Sequence, residues 1–210
     1  MSDPYARPGV PETQPQSRGC AVAGVVAGSL AVVVAIALTG WYVLSRDSAE
    51  AGDFEAAPEC ADLQNTVLED LVPSHALETE EPLGGAEDAF GSGWQCRWAT
   101  PEGPAVAVPA FASAVAVAAP EPSGPETAAS TLRETASGQE TREVPDLGDE
   151  ALAWTEDGPF TIGCVGTRVS NLYLETCYSA AADYEALRSA DEQEIQGSAE
   201  DLAEAFVDAL

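Results

Sequence analysis

Phe160-Thr161-Ile162-Gly163-Cys164-Val165-Gly166-Thr167-Arg168-Val169-Ser170-Asn171-Leu172-Tyr173-Leu174-Glu175-Thr176-Cys177-Tyr178 reads as two strands and the turn between them. β-Branched and aromatic residues fill both halves, and Ser170-Asn171 is the polar break. With a two-residue hairpin turn at that break, Val169 faces Leu172 and Arg168 faces Tyr173. Five steps from the Val169–Leu172 pair, Cys164 faces Cys177. Opposed residues on antiparallel strands lie about 4.5–5.5 Å apart at Cα, which is inside disulfide range. The stretch thus predicts an antiparallel pair and a bridge, Cys164–Cys177.

Working outward, Glu150 to Thr155 reads as a further strand, entering the hairpin through the turn Glu156-Asp157-Gly158-Pro159. After the hairpin, Ser198 with Asp201 three residues on has the capping-box form, and Leu202, Phe206 and Leu210 recur at helical spacing. Toward the amino terminus, Thr127 to Thr135 predicts a short helix, and Ser113 to Ala118 a strand within an Ala/Val/Pro-rich run. Pro101-Glu102-Gly103 reads as a turn and Ala105 to Val108 as the strand after it. Trp94, Cys96 and Trp98 alternate with polar or small residues, the strand period. Leu63, Val67 and Leu71 repeat every four residues until Pro73 ends the run, which predicts a helix. Strands bracketed by helices give an α+β domain over residues 58–210, an antiparallel sheet with flanking helices.

Four cysteines fall in this domain and a fifth, Cys20, lies far upstream. Four cysteines allow three pairings. The hairpin register selects Cys164–Cys177, and elimination leaves Cys60–Cys96, which would pin the first helix to the first strand. No two cysteines have Cys-x-x-Cys spacing and His75 is the single histidine, so a zinc site would need widely separated thiolates.

Ala21 to Leu44 is uncharged and built mainly of Ala, Val, Leu, Ile and Gly. Its 24 residues make about 36 Å of helix, against a bilayer core of about 30 Å. This predicts one transmembrane helix, residues 20–44, with Trp41 and Tyr42 at an interface. Arg7, Arg18 and the terminal amine precede it and only Arg46 follows closely, so the amino terminus is expected in the cytoplasm and the carboxy-terminal domain outside the cell. Ala49-Glu50-Ala51 has the small-x-small form of a signal cleavage site, but the apolar run exceeds the usual 7–15 residues of a signal peptide. Cys20 precedes the apolar run, whereas a lipobox cysteine follows it. Gly24 and Gly28 form a small-xxx-small face suited to a helix-mediated homodimer, although glycine is simply common in membrane helices. Residues 1–19, with Pro4, Pro8, Pro11 and Pro15, read as a disordered cytoplasmic tail, and residues 45–57 as a linker.

The chain carries 36 acidic residues against 8 arginines and no lysine, a net charge of −28, with most acids beyond the apolar run. Such a surface repels phosphate backbones and anionic headgroups, so no nucleic acid is expected. Suitable partners are the bilayer through the helix, an envelope protein, or a small neutral or cationic ligand. Charge for solubility alone is the simpler account.

Cys60-Ala61-Asp62-Leu63, Cys96-Arg97-Trp98 and Leu147-Gly148-Asp149-Glu150-Ala151 form an ordered series. The series resembles an actinobacterial family of secreted lipoproteins and membrane-anchored extracytoplasmic domains of unknown function, over about residues 58–210. In that family an early cysteine pairs with the Cys-x-Trp cysteine and a Gly-Asp-x-Ala segment precedes a late strand. This chain differs in its membrane helix and in the additional Cys164/Cys177 pair. The resemblance implies a cell-envelope location and supplies no catalytic residue.

The residues offer no catalytic, cofactor or metal assignment. Phe90-Gly91-Ser92-Gly93-Trp94 lacks the spacing of a nucleophile elbow, and His75 reads as an exposed loop histidine. Asp146, Asp149 and Glu150 around Gly148 offer oxygen donors but no complete calcium loop. Glu200, Glu204 and Asp208 read as the solvent face of the last helix. Trp94, Trp98 and Trp154 would either line an apolar pocket or pack the core. The reading that follows is a membrane-anchored extracytoplasmic binding or interaction module of the cell envelope, not an enzyme. The alternatives are an envelope hydrolase using paired carboxylates and a membrane signalling accessory acting through the Pro-rich tail.

Overall fold

The computed structural model describes residues 52–210 except 86–87, 102–107, 157 and 183–187. The segments expected as a cytoplasmic tail and as a transmembrane helix with Cys20, Gly24 and Gly28, the expected Ala105–Val108 strand but for Val108, and parts of the two turns at 101–103 and 156–159 lie outside the described residues. Among the described residues no helix is long and apolar enough to cross a membrane.

Seven antiparallel strands form one sheet: β1 (Ala76–Gly84), β2 (Ser92–Ala99), β3 (Ala110–Ala118), β4 (Arg142–Glu143), β5 (Glu150–Glu156), β6 (Ile162–Val169) and β7 (Leu172–Ala180). Their order is β1-β2-β3-β7-β6-β5-β4. After β3 the chain crosses to the far edge and returns strand by strand until β7 pairs with β3. Among the described residues three helices flank the sheet: α1 (Thr66–Leu71), α2 (Gly124–Thr135) and α3 (Glu192–Val207).

The Ala-rich β3 is intelligible from its neighbours. On one face, cross-strand rows run Trp98–Ala112–Tyr178 and Trp94–Ala116–Leu174. A methyl between two bulky side chains fills the row without overpacking. On this face the buried stripe of α3, Ile195, Ala199, Leu202, Ala203 and Phe206, closes the main core together with Leu63, Leu68 and Val72 around α1. Trp98 tilts against Phe206 with ring centroids 5.8 Å apart. Gly163 lets α3 come close, because a Cβ there would sit 3.0 Å from the carbonyl oxygen of Ile195. The opposite face carries α2 and a smaller core of Leu132, Trp154, Tyr173 and the Cys164–Cys177 bridge.

Some sequence expectations change in the fold. The last helix starts at Glu192, capped by Asp191, whose carboxylate accepts the Gln193 N–H at 2.9 Å. Ser198 and Asp201 sit inside it, because the apolar stripe extends back through Ala199 to Ile195. Val108 precedes β3 rather than belonging to a separate strand. Residues 52–57, read as linker, are held by the domain: Ala57 is buried and Phe54 packs on the main core.

Candidate functional site

Both disulfides form as the sequence predicts. Cys164 faces Cys177 in register with Cα atoms 4.1 Å apart, and Val169↔Leu172 and Arg168↔Tyr173 set that register from the turn. Cys60 joins Cys96 across a Cα distance of 5.6 Å and fixes the chain ahead of α1 to the centre of β2. Glu175 brings a carboxylate near the second bridge, and the three donor atoms of Cys164, Glu175 and Cys177 lie within 4.8 Å. With the sulfurs joined to each other, that group offers a cation only the carboxylate.

The Gly148-Asp149-Glu150-Ala151 segment serves the hairpin. Gly148 has φ +60°, and a Cβ there would lie 2.6 Å from the carbonyl oxygen of Arg168. Asp149 accepts the backbone N–H of Ser170 at 2.7 Å and the Arg168 guanidinium at 2.9 Å. Glu150 accepts Arg133 from α2 at 2.9 Å. Two of the three oxygen donors weighed for calcium are therefore engaged by arginines, and Ala151 is buried in the core.

The tryptophans do not converge. Trp98 and Trp94 belong to the α3 face, and Trp154 to the α2 face. His75 is covered rather than exposed: its side chain is 8% accessible. Its Nδ1 lies 3.1 Å from the Val72 carbonyl oxygen and its Nε2 2.9 Å from the Gln64 side chain, so both ring nitrogens are occupied. Of the expected acidic stripe, Glu200 is partly covered by Arg142 and Gln196, while Glu204 and Asp208, the latter just past the end of α3, are exposed.

A partly buried pair was missed in the sequence. Tyr173 donates its hydroxyl to Glu175 at 2.7 Å beneath α2. Burial pushes the Glu175 carboxyl above the usual carboxylate range; the Tyr173 hydroxyl opposes that and the nearby Glu156 adds to it. Burial and the adjacent carboxylate raise the Tyr173 phenol as well. The available signal was parity: Tyr173, Glu175 and Cys177 alternate along β7 and must share the face of the bridge.

A cleft of about 550 Å³ lies between α3 and the outer edge of β5. Ala153, Trp154 and Thr155 of β5 meet Gln193, Gln196, Gly197 and Glu200 of α3, with Glu140 and Arg142 at the rim. The Arg142–Glu200 ion pair closes one side. Thr155 donates its hydroxyl to the Gln196 side chain at 3.3 Å. Its volume lies in the range of small-ligand sites, which run to about 300–1,000 Å³. Its lining is polar and acidic, with neither a histidine nor a cysteine.

No protein-family model, curated protein or solved structure matches the chain.

Proposed function

We propose that this chain is a membrane-anchored, extracytoplasmic binding or interaction module of the cell envelope, held by the apolar segment 20–44 with its amino terminus in the cytoplasm. The observation that carries the proposal is the complete pairing of the four domain cysteines, Cys60 with Cys96 and Cys164 with Cys177. Bridges persist in oxidising compartments, and a domain stapled in this way downstream of an uncharged 24-residue run fits export across that run. The polar, open cleft beside α3 supports binding as its task. The resemblance to membrane-anchored actinobacterial domains belongs to the same proposal.

The test is topological. In intact cells, a membrane-impermeant biotin reagent aimed at a single cysteine introduced at exposed Gln139 should label the domain, while one introduced at Ser17 should react only after permeabilisation. Labelling in the opposite order, or release of the mature chain into the medium, would overturn the anchored orientation.

A further inference from the structure

We propose that the cleft between α3 and β5 takes an extended, basic polypeptide segment, which pairs its backbone with Thr155 and directs a Lys or Arg side chain toward Glu140 and Glu192. The inference rests on the binding-module reading and names its ligand class.

The first observation is an unfinished strand edge. Val144 donates its N–H to the Ala151 carbonyl across the β4–β5 gap at 3.0 Å. Backbone groups two residues apart on a strand point the same way, so those of Ala153 and Thr155 also face outward. β4 ends opposite Ala153, at Arg142, while β5 continues to Glu156. Among the described residues no backbone group pairs with Thr155 on that side. An open strand position in a cleft is the geometry of strand addition.

The second observation is charge. Arg142 is committed to Glu200, and among the described residues no cation pairs with Glu140 or Glu192. The third is Gly197. It lies inside α3, where glycine weakens a helix, yet a Cβ there would meet nothing within 4 Å. Packing within the domain does not require the glycine, and its bare surface keeps the cleft wide.

The experiment uses the full chain in detergent micelles at about 0.15 M salt, where the Debye length is about 8 Å and the general pull of the acidic surface is damped. The probe is a fluorescein-labelled acetyl-Arg-Val-Arg-Val-Arg-amide read by anisotropy. Saturable binding is expected, weakened roughly tenfold or more by Gly197→Gln, which fills the cleft without changing charge. That variant improves helix propensity, so its unfolding midpoint should not fall. A peptide of the same sequence N-methylated throughout keeps every charge and loses every backbone donor, and should bind at least as poorly. No saturable binding, equal affinity for Gly197→Gln, or equal affinity for the N-methylated peptide would each overturn the proposal. Such a failure with the labelling order intact would remove the peptide site and leave the anchored module standing.

Discussion

Asp149 accepts the backbone N–H of Ser170 at 2.7 Å, so a residue ahead of β5 holds the turn between β6 and β7. Ser170 has φ +54°, an unusual conformation for a residue with a side chain, and the carboxylate contact with Arg168 fixes the same turn from its other side. Asp149→Ala should lower unfolding stability by about 1–2 kcal/mol, the usual size of a charge-assisted bond to a partly exposed N–H. Asp149→Asn keeps an acceptor and loses the ion pair, so it should cost less, under about 1 kcal/mol. Urea unfolding checks both, with a shifted midpoint and an unchanged slope.

Asn171 fastens the start of the domain. Its amide oxygen accepts the Phe54 N–H at 2.9 Å, and its amide nitrogen donates to the carbonyls of Phe54 and Ala119, each at 2.9 Å. The side chain is fully buried. Asn171→Ala strips three partners and should destabilise by about 2–3 kcal/mol. Asn171→Asp should be worse at neutral pH, because a carboxylate would face two carbonyl oxygens. Hydrogen exchange at Asp53 and Phe54 is the discriminating measurement: both amides should lose protection before the sheet does.

The hairpin was legible because three local signals agreed: a polar two-residue break, β-rich flanks and two cysteines equidistant from the turn. β1 was not. Glu78, Glu80, Glu81 and Pro82 erase the apolar alternation, since an edge strand with both faces largely exposed needs none, and β2 supplies its pairing. The start of α3 was missed because a capping-box pattern also fits a helix interior, while Gly197-Ser198 looks like a boundary. Phe54 was the readable warning that the linker ended early. The cleft was beyond local reading: Glu140, Thr155 and Glu192 come from a loop, a strand and a helix that only the folded sheet assembles.

The two bridges should differ modestly in worth. Cys60–Cys96 closes a loop with a separation of 36 residues and Cys164–Cys177 one of 13. Loop-closure entropy grows slowly with length, so removing them by paired serine substitutions should cost about 4 and about 3 kcal/mol respectively. Urea midpoints of the two double variants test the ranking. Non-reducing peptide mapping that found free thiols at all four positions would remove its basis.

Glu175 should make the domain sensitive to pH in a defined direction. Its folded carboxyl titrates above the ordinary carboxylate range, chiefly because it is buried. The folded state therefore holds this proton more tightly than the unfolded chain does. Its contribution is fully present below the ordinary carboxylate pKa of about 4.3 and is lost as pH rises through the folded value. Glu175→Gln keeps an acceptor for the Tyr173 hydroxyl and cannot ionise. The variant should match the wild type in acid and become the more stable of the two as pH rises toward neutrality. Unfolding titrations of both proteins, carried from about pH 4 to mildly alkaline pH, read the difference directly. A constant gap between the two curves across that span would mean that the Glu175 carboxyl titrates alike in the folded and unfolded chain, the Tyr173 hydroxyl cancelling the effect of burial.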